Sequence, residues 1–343
     1  MLYILLALGL VLLVAGGESL VRGASALAGR LGVSPLLIGL TVVGFGTSTP
    51  ELVTSLQAAF AGSPGIAVGN VVGSNIANIF LILGIAALLM PFAVERTAFR
   101  RDGSVLVAAT LACAAIVLTG ALSRPAGLAL LLGLVFYLIY AYRSERVDIE
   151  GVGAANEPVA VTGGGTAALA TAPIGAWPAP SAPASPAAAD VPVMPLPVAL
   201  AWAVGGIALT VLGARLLVDN AIDLAALWGV PETIVGLTIV AVGTSLPELV
   251  TSIVAAIRRK GAIAFGNVVG SNIYNVLGIL GATALVKPIP VPDQIAGFDV
   301  WVMLAATGAL VAVAVTGWRV TRGEGAVLLA AYAAYIAWMA MGA

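Results

Sequence analysis

Two blocks of sequence occur twice in this chain with the same offset. GTSTPELVTS at 46–55 is repeated as GTSLPELVTS at 243–252, and GNVVGSNI at 69–76 is repeated at 266–273. Because 243 − 46 and 266 − 69 both equal 197, the spacing inside the repeated unit is kept. The duplication predicts two halves of similar fold that carry the same chemical groups at corresponding places.

Composition restricts these halves to a membrane fold. The chain is 61% hydrophobic and 9% charged, whereas soluble domains are about 25% charged. Because so few polar side chains could not cover a water-facing surface, we expect an all-α integral membrane protein. At about 20 apolar residues per span, there are ten candidate transmembrane helices, at about 2–26, 34–60, 66–90, 102–122, 125–142, 197–222, 231–257, 263–286, 298–317 and 324–342.

Composition also excludes several partners and chemistries. A net charge of −1 gives no basic field for nucleic acid, and the absence of histidine excludes histidine zinc sites. The single Cys113 lies in an apolar run and is expected to be a small core residue. No nucleophile–base pair is evident. We therefore expect neither an enzyme nor a resident cofactor, and the lipid bilayer rather than an obligate protein as the partner.

The chain divides into two five-helix repeats joined by a linker. The first repeat is predicted at 1–146, a flexible cytoplasmic linker rich in Ala, Pro, Gly and Thr at 147–196, and the second repeat at 197–343. The apolar N-terminus lacks a basic region ahead of it, so we interpret it as a retained first span. Because each half has an odd number of spans, the second must cross the membrane in the opposite sense to the first.

The distribution of basic residues gives this inverted pair a direction. If the N-terminus is outside, the outer side keeps only Arg124, Arg215 and Lys287 of the 15 basic residues. The excess of basic residues on the inner side follows the positive-inside rule. The other twelve then lie in inner loops: Arg22, Arg30, Arg96, Arg100, Arg101, Arg143, Arg146, Arg258, Arg259, Lys260, Arg319 and Arg322.

Each half places a glutamate beside a proline inside an apolar span, Glu51 after Pro50 and Glu248 after Pro247. A carboxylate at the centre of a membrane helix costs about 2.5–3.5 kcal/mol on insertion scales. Proline lacks an N–H and so frees a backbone carbonyl of the preceding turn, at Gly46 in the first half. A charge beside a broken helix, present in both halves, is typical of an ion or substrate site in a transporter.

Further oxygen-bearing side chains share a helix face with these groups. Thr47–Glu51 and Thr244–Glu248 are four residues apart, and the same spacing separates Ser74 from Asn78 and Ser271 from Asn275. Hydroxyl, amide and carboxylate oxygens suit Na⁺ or Ca²⁺, which takes 6–8 oxygens, and are poor ligands for soft metals. The small residues also have a packing explanation, because Gly-x-x-x-Gly motifs and serine or asparagine hydrogen bonds hold transmembrane helices together.

Through these motifs the chain resembles the cation/Ca²⁺ exchanger superfamily, in particular prokaryotic sodium/calcium exchangers. The resemblance spans both halves and omits only the linker. It implies a multi-pass protein of the cytoplasmic membrane, with ten helices in two inverted repeats, broken helices at a mid-membrane site, and two peripheral helices that slide against a core. It also implies a set of ion ligands, in which the two glutamates are shared by Ca²⁺ and Na⁺ and the carbonyls of Gly44 and Ala241 are partners for Na⁺. The side chains of this set are Thr47, Ser48, Glu51, Ser74, Asn78, Thr244, Ser245, Glu248, Ser271 and Asn275.

One position departs from the family pattern. Many sodium/calcium exchangers have an aspartate where this chain has Asn275, so Glu51 and Glu248 alone give the site a charge of −2. One Ca²⁺ or two Na⁺ would neutralise it, and a third Na⁺ would leave one positive charge in excess. We therefore expect an antiporter that exchanges Ca²⁺ for Na⁺. Proton coupling is the alternative, because a buried carboxylate binds a proton more readily than one in water. A passive cation channel is a further alternative.

Overall fold

The computed structural model describes residues 2–155, 194–228 and 243–342, and these residues are almost entirely helical. The helices are α1 Leu2–Leu31, α2 Pro35–Thr47, α3 Thr49–Phe60, α4 Pro64–Leu89, α5 Arg96–Leu118, α6 Arg124–Ala155, α7 Leu196–Leu227, α8 Leu246–Ile257, α9 Gly261–Val286, α10 Ile295–Val315 and α11 Arg322–Gly342. Four two-residue strands are β1 Phe92–Ala93, β2 Ala121–Leu122, β3 Ile289–Pro290 and β4 Arg319–Val320.

Within this part of the chain, eight helices are long and apolar enough to cross a membrane, and nine spans result if the bent pair α2–α3 counts as one. The predicted span at about 231–257 is described only from residue 243 onward, so its first part lies outside the described residues. Most of the predicted linker, at 156–193, also lies outside them. The backbone of α6 remains helical to Ala155, past the predicted repeat boundary at 146, and the sequence contains no proline between that boundary and Pro158.

The helix breaks in both halves coincide with proline. The bend between α2 and α3 is 43° and lies at Ser48, the residue before α3. Pro50 occupies the first turn of α3, and Pro247 the first turn of α8, where a missing N–H breaks no hydrogen bond. The expected free carbonyl of Gly46 is not free, because the Thr49 hydroxyl donates to it at 2.9 Å.

Two small sheets mark the two ends of the helix bundle. β1 pairs antiparallel with β4, and β2 with β3. Because α5 runs from just after β1 to just before β2, the two sheets lie at opposite ends of this spanning helix. β1 and β3 occupy corresponding positions in the two halves, yet they belong to different sheets. Equivalent segments of the halves therefore lie at opposite ends of the bundle.

α4 and α9 form the centre of the bundle. Their most apolar stretches are 78% and 83% buried, compared with 11–44% for the other long helices. α9 packs against α2, and α3 against α4. α1 and α7 pack along each other at the periphery, where glycine permits close approach: a Cβ at Gly206 would lie 2.4 Å from the backbone nitrogen of Leu20.

Candidate ion-binding site

Glu51 and Glu248 lie in the first turns of α3 and α8, and each is 1% exposed. The N-terminal end of a helix stabilises a carboxylate there through its unpaired N–H groups and its dipole. Among the residues that the structure describes, neither glutamate has an ion pair with lysine or arginine. Two buried carboxylates without a basic partner are costly in free energy, which favours a functional role for them.

Each glutamate is bound by a serine of the opposite half. Ser48 Oγ donates to Glu248 Oε1 at 2.8 Å, and Ser245 Oγ donates to Glu51 Oε1 at 3.2 Å. Both serines precede a helix at the N-cap position, where a hydroxyl normally accepts a hydrogen bond from its own helix. Neither makes such a bond here. The crossed hydrogen bonds bring the two repeated blocks together at one site.

Several oxygen atoms at this site have no partner within the protein. Glu51 Oε2, Glu248 Oε2, Asn78 Oδ1 and Asn275 Oδ1 are all buried and without a hydrogen bond. Buried polar atoms are normally satisfied, so a group of four such oxygens requires an explanation. Asn275 Nδ2 donates to Ser74 Oγ and to Asn75 Oδ1, both at 3.1 Å, which fixes the orientation of its amide.

The two asparagines begin matching segments of wider, π-helical turn, Asn78–Leu83 in α4 and Asn275–Leu280 in α9. Such segments interrupt the regular backbone ladder and are frequent at functional sites. Their positions differ by the same 197 residues as the sequence blocks. The irregular backbone therefore belongs to the repeated unit.

The remaining predicted ligands occupy unequal positions in the two halves. Thr47 Oγ1 donates to Val43 O at 3.1 Å and to Asn267 Oδ1 at 3.2 Å. Ser271 Oγ donates to the carbonyl of Gly44 at 3.2 Å, which joins two further predicted ligands. Thr244 borders two cavities, described below. Ala241 lies outside the described residues.

Sequence reasoning missed Asn70 and its counterpart Asn267, the asparagines of GNVVGSNI. Asn70 Nδ2 donates to the backbone carbonyl of Glu51 at 3.0 Å and to Ser55 Oγ at 2.9 Å. Asn267 makes the same pair of contacts with Glu248, at 3.2 Å, and with Ser252, at 2.8 Å. These amides hold the glutamate-bearing helices against α4 and α9. Their presence in both copies of the block was the signal that could have identified them.

Among the described residues, two cavities reach the site from the end of the bundle that carries the β2–β3 sheet. One of about 550 Å³ is lined by residues of α3, α4, α10 and α11, including Gly65, Gln294 and Asp299. A second of about 380 Å³ lies between α3 and α7. Thr54 and Thr244 line both. The site is thus approached from this end by two routes that meet at the same residues.

The access is unequal between the two halves. Thr54, Asn70, Ser74 and Thr244 line the cavities. Each has a counterpart 197 residues away in the sequence, and all four counterparts are 0% exposed: Thr251, Asn267, Ser271 and Thr47. Equivalent residues of the two halves therefore differ in their access to the cavities in this structure.

The chemistry of this residue set is that of a hard cation site. The four unpartnered oxygens of Glu51, Glu248, Asn78 and Asn275 are carboxylate and amide oxygens, which suit alkali and alkaline-earth ions. Within the described ranges, no group of three or more histidine, cysteine, aspartate or glutamate side chains is gathered in one place. The site thus rests on two carboxylates and several neutral oxygens.

Known proteins are similar to this chain in sequence and in fold. The sodium/calcium exchanger MaX1 of Methanosarcina acetivorans is 35% identical over 362 residues, covering 97% of this chain and 97% of MaX1. The inner membrane protein YrbG of Escherichia coli K12 is 35% identical over 343 residues, covering 98% and 95%. A structure of the sodium-calcium exchanger NCX_Mj, soaked with 2.5 mM Na⁺ and 0.1 mM Ca²⁺, aligns with a TM-score of 0.76 at 29% identity and covers 96% of each chain.

The model of the family described as sodium/calcium exchanger protein matches residues 1–143 and 198–341, which are the two halves without the linker. The expectation of a multi-pass membrane protein is confirmed by these relatives. Members of the family are transporters rather than enzymes. On its sequence, its fold and both halves of its repeat, this chain belongs to the sodium/calcium exchanger protein family.

Proposed function

We propose that this protein exports Ca²⁺ across the cytoplasmic membrane in exchange for Na⁺, with both ions competing for Glu51 and Glu248. The observation that carries the proposal is the pair of buried carboxylates, each with one oxygen bound by the other half's serine and one oxygen unpartnered. The family of the chain and the name of MaX1 support the choice of ions.

The proposed ligands are oxygens from both halves. The carboxylates of Glu51 and Glu248 bind either ion, and the amide oxygens of Asn78 and Asn275 complete the centre. The neutral oxygens around them are well suited to Na⁺, whose coordination needs less charge. They are the hydroxyls of Thr47, Ser48, Ser74, Thr244, Ser245 and Ser271 and the carbonyls of Gly44 and Ala241.

In the proposed mechanism, Ca²⁺ and Na⁺ compete for the same two carboxylates, which together carry a charge of −2. A site occupied by Ca²⁺ or by two Na⁺ is neutral and can be carried through the apolar interior, whereas an empty site holds two buried charges. The empty site should therefore resist the switch between inward and outward access. This resistance prevents a net leak and couples the two fluxes.

We propose alternating access between two inverted five-helix repeats, ten spans in all, with the N-terminus outside. The opposite placement of β1 and β3 supports the inversion. Arg96 and Arg100 lie against Trp318 beside the β1–β4 sheet, which supports assigning that end to the cytoplasm. The cavities at the β2–β3 end then open outward. α1 and α7, which pack closely on each other, are the candidates for the pair that slides.

Alternating access predicts opposite accessibility at two equivalent threonines. We expect Thr54→Cys to react with a membrane-impermeant thiol reagent from outside, because Thr54 lines both cavities. We expect Thr251→Cys to react only from the cytoplasmic side, after the switch, because Thr251 is fully buried here. Both variants would be made after replacing Cys113, the single native cysteine. Reaction of both cysteines from the same side would contradict the proposal.

Flux in proteoliposomes tests the choice of coupling ion. An imposed Na⁺ gradient should drive Ca²⁺ uphill, and a pH gradient alone should not. A flux driven by pH and indifferent to Na⁺ would instead establish Ca²⁺/H⁺ exchange. A passive channel would show continuous conductance without any coupled counter-flux.

A further inference from the structure

Asp102 and Asp299 are equivalent residues in the two halves, 197 residues apart, but the groups that surround their carboxylates differ. Asp102 is 1% exposed and forms an ion pair with Arg101, whose Nε lies 2.8 Å from Asp102 Oδ1. The Tyr137 hydroxyl donates to the same carboxylate at 3.3 Å. The charge of Asp102 is thus compensated by Arg101.

Asp299 also accepts a hydrogen bond from a tyrosine hydroxyl, but it has no arginine beside it in the sequence. The residue before it is Phe298, at the position that Arg101 occupies in the first half. The Tyr335 hydroxyl donates to Asp299 Oδ1 at 3.1 Å. Among the described residues, no lysine or arginine lies within ion-pair distance of Asp299, although it is only 7% exposed. A buried carboxylate with a single neutral partner is costly unless a cation visits it.

Asp299 lies on a route by which a transported cation can reach the candidate site. Asp299 lines the cavity of about 550 Å³, the larger route to the candidate site. Asn70, Ser74 and Thr244 line the same cavity, and Ser74 is bound by Asn275. An ion that enters from the β2–β3 end through this cavity therefore passes the Asp299 carboxylate on its way to the glutamates.

We propose that Asp299 is a cation-binding residue of the entry route, which holds incoming Ca²⁺ or Na⁺ before transfer to Glu51 and Glu248. This inference rests on the proposed exchange function. A carboxylate in a cleft with low-dielectric walls concentrates cations and raises their association rate by roughly 10- to 1000-fold. Because Coulomb attraction is proportional to the charge of the ion, the gain for Ca²⁺ is the square of the gain for Na⁺.

The test is Asp299→Asn in proteoliposomes, with the varied ion added on the side to which the cavity opens. We expect the KM for Ca²⁺ to rise about tenfold in assays of Ca²⁺ uptake. The KM for Na⁺ should rise about threefold in assays of Na⁺-driven Ca²⁺ efflux, and the maximal rates should be retained. A mere structural disturbance would change the maximal rates and would not follow the square relation between the two ions.

Three matched variants complete the experiment. Asp299→Glu should restore the KM values, because it keeps the charge. Tyr335→Phe should leave them within about twofold, because it removes one hydrogen bond but keeps the carboxylate charge that attracts the cation. Asp293→Asn is the control for surface charge: Asp293 is exposed, lies six residues earlier in the sequence, and should have no effect.

The two hypotheses fail in different ways. Wild-type protein without any Na⁺-dependent Ca²⁺ flux would overturn the exchange function. Wild-type exchange together with unchanged KM values in Asp299→Asn would overturn the entry site alone. Equal KM increases for Ca²⁺ and Na⁺, or the same increases in Asp293→Asn, would also reject it.

Discussion

Glu51→Gln and Glu248→Gln are each expected to reduce Ca²⁺ transport at least 100-fold. Glutamine keeps the shape and one oxygen but removes the charge. At an effective dielectric constant of about 20, a divalent ion 4 Å from a carboxylate gains about 8 kcal/mol. If dehydration offsets half of this, the remaining loss of about 4 kcal/mol still corresponds to more than a 100-fold loss of affinity. Initial rates of ⁴⁵Ca²⁺ uptake into Na⁺-loaded proteoliposomes would measure it.

Stability separates this effect from misfolding. Each substitution removes a buried charge that no described basic residue compensates, so the ion-free variants should unfold at the same temperature as wild type or higher. Glu324→Gln is the matched control, because Glu324 lies in the first turn of α11, where its carboxylate accepts hydrogen bonds only from Thr321 among the described residues, and it should transport normally. Normal transport by either site variant would refute the proposed site.

Gly270→Ala is expected to cost about 3 kcal/mol of folding stability, at the upper end of overpacking effects. A Cβ at Gly270 would lie 2.2 Å from the carbonyl oxygen of Leu40 and 2.5 Å from its Cα. These atoms belong to the backbone of α2, which cannot move aside as a flexible side chain would. A thermal unfolding curve of the purified protein should shift to lower temperature, and folded yield should fall.

Gly73→Ala is the control that the repeat itself supplies, because Gly73 occupies the same place in the first GNVVGSN block. No described atom lies within 4 Å of a Cβ built there, and Gly73 borders the cavity. The variant should therefore fold like wild type. If the halves exchange environments during transport, it should nevertheless slow exchange, because Gly73 must then enter the close contact. Equal destabilisation by the two substitutions would contradict the asymmetry of the structure.

Most spans within the described residues could be predicted to within a few residues because the bilayer fixes their length and apolar character. The central helices were expected at about 66–90 and 263–286 and are observed at Pro64–Leu89 and Gly261–Val286. The start of α5 was predicted too late, at about 102 instead of Arg96. Three arginines and an alanine in the charged segment before the apolar run are good helix formers, and the helix extends beyond the part that hydropathy detects.

The candidate site was only partly predictable, for a geometric reason. Spacing along one helix indicates which side chains share a face, and on this basis Glu51 and Thr47 were paired. The bend at Ser48 lies between them, and Thr47 donates to Asn267 of the other half, a contact that the spacing does not predict. Contacts between halves depend on how α3 and α9 pack. A periodicity within one segment contains no information about that packing.

The crossed serine–glutamate bonds have a consequence for synthesis. When the first half has left the ribosome, Glu51 and Ser48 are both in place, but each has its partner on a segment not yet made. Neither half alone can form the centre, even though both carry every residue type it needs. The two halves expressed as separate chains should therefore bind Ca²⁺ only when they meet in one membrane in opposite orientations. On the proposed inverted topology, the product of a gene for a single half would form such a centre only by inserting in both orientations.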